Sequence, residues 1–120
     1  MDIETFRNYC IRKKGVTEEL PFGSDNLVFK VMGRMFALAS LDTVPLQVNL
    51  KCDPERAIEL REQHEENILP GYHMNKKHWN TVIMDGRMAK EFTFELTRHS
   101  YNLVVAGLTR KQKRELEKIE

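Results

Sequence analysis

At 120 residues, with 41% hydrophobic and 31% charged side chains, the chain has the length and composition of one globular domain, residues 1–120. Its 19 Lys and Arg against 18 Asp and Glu leave a formal charge of +1, so bulk electrostatics gives nucleic-acid binding no support and any such contact needs a local patch. The longest apolar stretches are broken by Lys30, Gly33 and Arg34, and the first residues include Asp2 and Glu4 rather than a basic start with an apolar run; the expectation is a cytoplasmic monomer with no membrane contact.

In chain order, Asp2 is placed to cap a first helix in which Ile3, Phe6 and Cys10 form one apolar stripe ending near Gly15. After a turn at Pro21-Phe22-Gly23, residues 27–32 and 35–41 predict a β-hairpin linked through Gly33-Arg34. Leu46, Val48, Leu50 and Cys52 alternate with Gln47, Asn49 and Lys51, the period of a strand with one wet face. Asp53-Pro54 then starts a helix with Ala57, Ile58 and Leu60 as its buried side and an end near Asn67. Two strands, 68–73 broken by Pro70-Gly71 and 79–84, pair across a loop. Phe92, Leu96, His99 and Leu103 mark a long helix that Gly107 terminates from the C′ position, and Thr109 with Gln112 forms a capping box for a last helix with Leu116 and Ile119 on its apolar edge. Antiparallel strands joined by hairpins leave one face for all helices, so the fold class is α+β, two-layer, a small antiparallel sheet with helices packed on one face.

The stretch 70–80 holds two lysines, two histidines, two aromatic rings and no acid. Cations neutralise phosphates, and Asn, His and ring faces touch bases or sugars, so this is the vocabulary of a nucleic-acid contact. The same residues also fit a plainer role, Trp79 and Tyr72 anchoring a surface loop with solvated lysines. Arg110, Lys111, Lys113 and Arg114 read as a solvated helix end with i,i+4 partners, because their charge opposes the helix dipole. The four histidines stand at no metal-ligand spacing, Cys10 and Cys52 fall on core stripes where a thiol is inert, and no glycine-rich phosphate loop occurs. No metal, no cofactor and no catalytic residue is expected, and the chain is not read as an enzyme.

Pro21-Phe22-Gly23, Val28-Phe29-Lys30-Val31, Gly33-Arg34-Met35-Phe36-Ala37, the run Tyr72-His73-Met74-Asn75-Lys76-Lys77-His78-Trp79-Asn80-Thr81-Val82 and Ser100-Tyr101-Asn102-Leu103-Val104 together resemble the MmcQ/YjbR family of small bacterial proteins. Arg34 stands where that family usually has lysine. The resemblance implies a frataxin/CyaY-like fold and, since members are commonly described as DNA-binding proteins with a double-wing motif, weak, salt-sensitive and sequence-tolerant DNA binding. One wing would be the hairpin at Gly33-Arg34 and the other the loop carrying Asn75, Lys76 and Lys77. Arg34, Lys76 and Lys77 would contact phosphate, and His73, Asn75 and His78 would add hydrogen bonds. The iron binding known in frataxin-like folds is not carried over, because Arg7, Arg12, Lys13 and Lys14 follow Asp2 and Glu4 in the first helix. The alternative is a non-catalytic accessory protein that takes a small anionic ligand or a protein partner through the Tyr72–Asn80 loop.

Overall fold

The computed structural model describes residues 1–21 and 23–119. The chain runs α1 (Ile3–Ile11), β1 (Val16–Glu19), β2 (Asn26–Val31), β3 (Arg34–Ser40), β4 (Leu46–Lys51), α2 (Pro54–Gln63), β5 (Ile68–Pro70), β6 (Trp79–Met84), α3 (Lys90–Ala106) and α4 (Arg110–Lys118). The strands form one antiparallel sheet in the order β1-β2-β3-β4-β6-β5. Four helices accompany this sheet, the α+β arrangement expected from the hairpin pattern.

The caps are where the sequence put them. The Asp2 carboxylate accepts from the Thr5 N–H, the Asp53 carboxylate accepts from the Arg56 N–H ahead of Pro54, and Thr109 and Gln112 form both bonds of a capping box. β1 is an addition to the expected elements. It is short and half-exposed, and it reads poorly in sequence because two of its four residues are glutamates. Glu18 is held by a paired bond from Arg7 of α1, and Glu19 by Lys30 of β2 at 2.7 Å.

The β2–β3 turn is shifted by one residue from the expected link. Val31 pairs with Arg34, so Met32 and Gly33 make the turn, with φ of 50° and 83°. Two successive left-handed residues are the requirement of a type I′ hairpin, and Arg34 becomes the first residue of β3 instead of a turn residue. Further along, Phe29 faces Ala37 while Lys30 faces Met35, which leaves Phe36 as an extra residue in β3. That bulge turns both Phe36 and Ala37 into the core, where Phe36 meets Phe29 and packs edge-on against Tyr101 of α3. The turn read at Pro21-Phe22-Gly23 includes Phe22, which lies outside the described residues.

Several helical expectations are corrected. α2 ends at Gln63, four residues early, and Ile58 is 54% exposed while Ala57 and Leu60 are buried. α3 buries Thr93, Leu96, Thr97, Ser100 and Val104; of the expected stripe only Leu96 belongs to it. Small hydroxylated residues let this helix lie close to the sheet, and their hydroxyls bond backbone carbonyls: Thr93 to Lys90, Thr97 to Thr93 and Ser100 to Phe36. Gly107 does end α3, but as its C-cap at φ −87°, with its N–H shared between the Leu103 and Val104 carbonyls rather than in a left-handed C′ geometry. On α4, Leu116 is buried and Ile119 is 40% exposed.

Candidate nucleic-acid interface and the open sheet face

Strand register places Gly15, the Met32-Gly33 turn, Cys52 and His78 at one end of the sheet. Asp25, Asp42 and Asp85 lie beyond the opposite strand ends, where Asn26 pairs with Ser40 and Leu46 with Met84. At the first end several segments converge. The Met32 N–H reaches the Gly15 carbonyl at 3.4 Å, the Tyr101 hydroxyl donates to the Lys14 carbonyl at 2.6 Å, Lys14 Nζ donates to the Glu117 carbonyl at 3.0 Å, and Arg34 Nη1 donates to the Gly107 carbonyl at 3.0 Å. Gly15 allows this crowding: it sits at φ +73°, and a Cβ there would stand 2.6 Å from Leu116 Cδ1.

The consequence is electrostatic. The cations that end α1 (Arg12, Lys13, Lys14), Arg34, and those of α4 are brought to one end of an electrically balanced molecule. Lys111, Arg114 and Lys118 stand at i, i+3 and i+7, an exposed stripe along α4. The i,i+4 pairs expected on this helix do not form among the described residues, whose ion pairs lie at Arg7–Glu18, Lys30–Glu19, Arg56–Glu95 and Arg87 with Glu66 and Asp85. Lys13 Nζ lies 4.6 Å and 5.2 Å from the ring centres of Tyr9 and Tyr101, and the desolvation of that position holds its pKa below the ordinary lysine value. Tyr9 stacks in turn on Phe94 at 4.0 Å, so flat rings and cations share this surface.

Of the six residues singled out in sequence, His73, Asn75, Lys76, Lys77 and His78 share the β5–β6 loop, and Arg34 stands apart from them against the α3–α4 junction. Both groups belong to the same end of the sheet. His73, Asn75, Lys76 and Lys77 are exposed, and Lys76 Nζ lies 3.4 Å from the Gly71 carbonyl. Asn75 caps its own turn, its side chain accepting from the Lys77 N–H. Tyr72 is 69% exposed, so its ring is not the anchor of the loop. The anchors are Arg61 and Asn49, which no sequence motif singles out, with Asn80 and Thr81 from the end of the Tyr72–Val82 run. Arg61 of α2 donates to the Asn80 side chain and to the carbonyls of Lys76 and Trp79. Thr81 Oγ1 accepts from the Tyr72 N–H at 2.9 Å and donates to Asn49 Oδ1 at 2.5 Å, and Asn49 Nδ2 donates to the Tyr72 carbonyl at 3.1 Å. In sequence Asn49 shows only as a wet-face residue of an alternating strand; nothing local pairs it with Tyr72.

This polar clamp lays Tyr72 and His73 on the open face of the sheet, with His73 in a left-handed conformation at φ +59° and its ring 4.0 Å from that of Tyr72. A groove of about 570 Å³ results, floored by Met35, Leu38, Gln47 and Asn49, walled by Tyr72, His73 and Met74, and ended by Asp25 and Asp42. Thr81→Val keeps the shape of the clamp residue and removes its hydroxyl. The expected result is rapid hydrogen exchange at the Tyr72 amide with the β4–β6 amides still protected, read by exchange NMR.

Burial also shifts the titration of two thiols and a histidine. Burial pushes the Cys10 thiol far up and the Cys52 thiol to about 11, which leaves neither as a thiolate at neutral pH. Among the described residues no three of His, Cys, Asp and Glu gather as a metal site, and no helix is long and apolar enough to cross a membrane. His99 Nε2 accepts the Asp53 N–H at 3.2 Å, and desolvation, with Arg56 adding repulsion, holds its pKa below the ordinary value; Glu95 and Asp53 oppose this more weakly. A depressed histidine means that the unfolded chain binds the proton first. Its contribution is therefore complete above about pH 6.5 and is lost as pH falls through that value toward the folded one. The expected result is a urea midpoint that drops between about pH 7.5 and 5.5 in the natural chain, and drops less in His99→Gln.

Comparison with known proteins places this geometry among relatives. The YjbR family model matches residues 11–103. The uncharacterized Escherichia coli protein YbdF is 42% identical over 95 residues, covering 78% of this chain and 76% of its own. The uncharacterized Escherichia coli protein YjbR is 33% identical over 116 residues, 97% of each. Among solved structures, the crystal structure of Deinococcus radiodurans protein DR2400 superposes with a TM-score of 0.91 at 43% identity, covering 96% of this chain and 87% of that one. A Pseudomonas syringae protein superposes at 0.70 with 25% identity, over 86% and 98% of the two chains.

Proposed function

The chain belongs to the YjbR family, and we propose that it is a non-catalytic module that binds DNA weakly and with little sequence preference. The observation that carries this reading is the gathering of Arg12, Lys13, Lys14, Arg34 and the α4 cations at one end of a molecule with almost no net charge. The wings are the β2–β3 hairpin with Arg34 and the β5–β6 loop with Lys76 and Lys77. They flank the same end of the sheet, and α4 widens the platform. Positive side chains at this end, free of carboxylate partners among the described residues, favour phosphate contact. His73, Asn75 and His78 add hydrogen-bond donors on the loop side.

The test is fluorescence anisotropy of a labelled duplex across a salt series. With about four phosphates neutralised, log K falls against log salt with a slope near −3.6, roughly a hundredfold loss between about 50 and 200 mM. An affinity that stays constant over that range rules out phosphate contact and, with it, this reading.

The alternative of an anionic ligand in the groove beside Tyr72 has less support, because the ionised groups lining that groove are the carboxylates Asp25 and Asp42, with no Lys or Arg.

A further inference from the structure

We infer that the groove on the open sheet face is a second binding site, selective for a small organic cation: an ammonium group carried on an apolar stem. Its volume of about 570 Å³ falls in the range of small-molecule sites. Met35, Leu38 and Met74 offer a soft apolar bed for a stem, and Met adapts to varied shapes. Asp25 and Asp42 close one end. They are set side by side by the β2–β3 pairing, in which Asn26 faces Ser40 and the Leu41 N–H bonds the Asp25 carbonyl at 2.7 Å. Neither carboxylate has an ion-pair partner among the described residues.

Charge decides the ligand class. In a chain with 19 Lys and Arg, none lines this groove. A phosphate or carboxylate would meet two like charges with no Lys or Arg to offset them, whereas an ammonium group at that end is attracted by the carboxylates. The wall is also built in advance. The Asn49–Thr81 clamp fixes the Tyr72 backbone, so a ligand need not order the loop.

The test is a two-dimensional 1H–15N NMR titration of the whole chain, without DNA, using hexylamine as probe and hexanoate as its anionic counterpart. Hexylamine is expected to give saturable shifts at the amides of Asn26, Leu38 and Asn49, with a dissociation constant in about the millimolar range. Hexanoate leaves them in place. Asp25→Asn combined with Asp42→Asn, folded by its spectrum, weakens the amine about tenfold. The inference is overturned if hexanoate shifts the same amides equally, if hexylamine does not saturate, or if the double variant binds it as the natural chain does. A concentration-dependent dimer that hexylamine dissociates would assign the groove to a second copy and overturn it as well. Because no DNA is present, loss of DNA binding in the salt series leaves this result untouched.

Discussion

Changing Lys111, Arg114 and Lys118 together to glutamate is expected to reduce duplex affinity by more than about a hundredfold and to flatten the salt dependence by about 0.9 for each phosphate that is no longer neutralised. These side chains lie on the exposed stripe of α4, whose buried contact is made by Leu116, so the substitution spares the core. The reversal does more than delete cations, because it turns the charge of one side of the platform against the phosphates. Lys76→Ala with Lys77→Ala is expected to weaken binding by a smaller factor, since it deletes two cations of the second wing and leaves the α1 end, Arg34 and α4 in place. Anisotropy at fixed salt compares them directly. Equal affinity for the natural and the triple-glutamate chains would remove α4 from the interface and leave the two wings alone.

The largest effect on stability is expected from Ser100→Ala. The β3–β4 ladder runs from Ser40–Gln47 to Ala37–Leu50 and then meets the bulge at Phe36. Beyond it, the Ser100 hydroxyl takes the place of a strand: it donates to the Phe36 carbonyl at 2.5 Å and accepts from the Lys51 N–H at 2.8 Å. Ser100 is fully buried, so water cannot replace it without a cavity. Two backbone groups left unsatisfied cost about 1–3 kcal/mol each, and a loss of about 2–4 kcal/mol is expected in urea or thermal unfolding. A loss below about 0.5 kcal/mol would mean that the sheet re-pairs across the bulge.

Ser100 also shows where reading from sequence stops. In the string it is a polar residue between His99 and Tyr101, off the apolar stripe of Phe92, Leu96, His99 and Leu103. Its value comes from a bulge in a strand more than sixty residues earlier, and apolar periodicity carries no record of that bulge. Periodicity misplaces the buried face of α3 for the same reason, because Thr93, Thr97 and Ser100 bury hydroxyls that bond locally or across the core. Ile58 errs the other way: an apolar side chain beside two buried ones reads as buried, and α2 turns it to solvent.

The candidate site divides similarly. The run of Lys76 and Lys77 between histidines is visible at once, as is Arg34 at a hairpin. The stripe of Lys111, Arg114 and Lys118 is equally present in sequence, but helix spacing alone leaves it a solvated end. Tertiary contacts, among them those of Lys14 with Glu117 and of Arg34 with Gly107, bring these cations together.

What the sequence determined by itself is whatever depends on near neighbours: the caps at Asp2, Asp53 and Thr109, the alternation of β4, the pairing of β5 with β6, and from these the antiparallel α+β class. Tertiary structure alone decided the one-residue shift of the hairpin turn, the bulge at Phe36, the clamp of Asn49 and Thr81 on Tyr72, and the separation of charge along the sheet. The reason is physical. Caps and periodicity are satisfied within a turn or a strand, whereas burial of a hydroxyl and the neighbourhood of a charge are set by segments that meet only once the chain has folded.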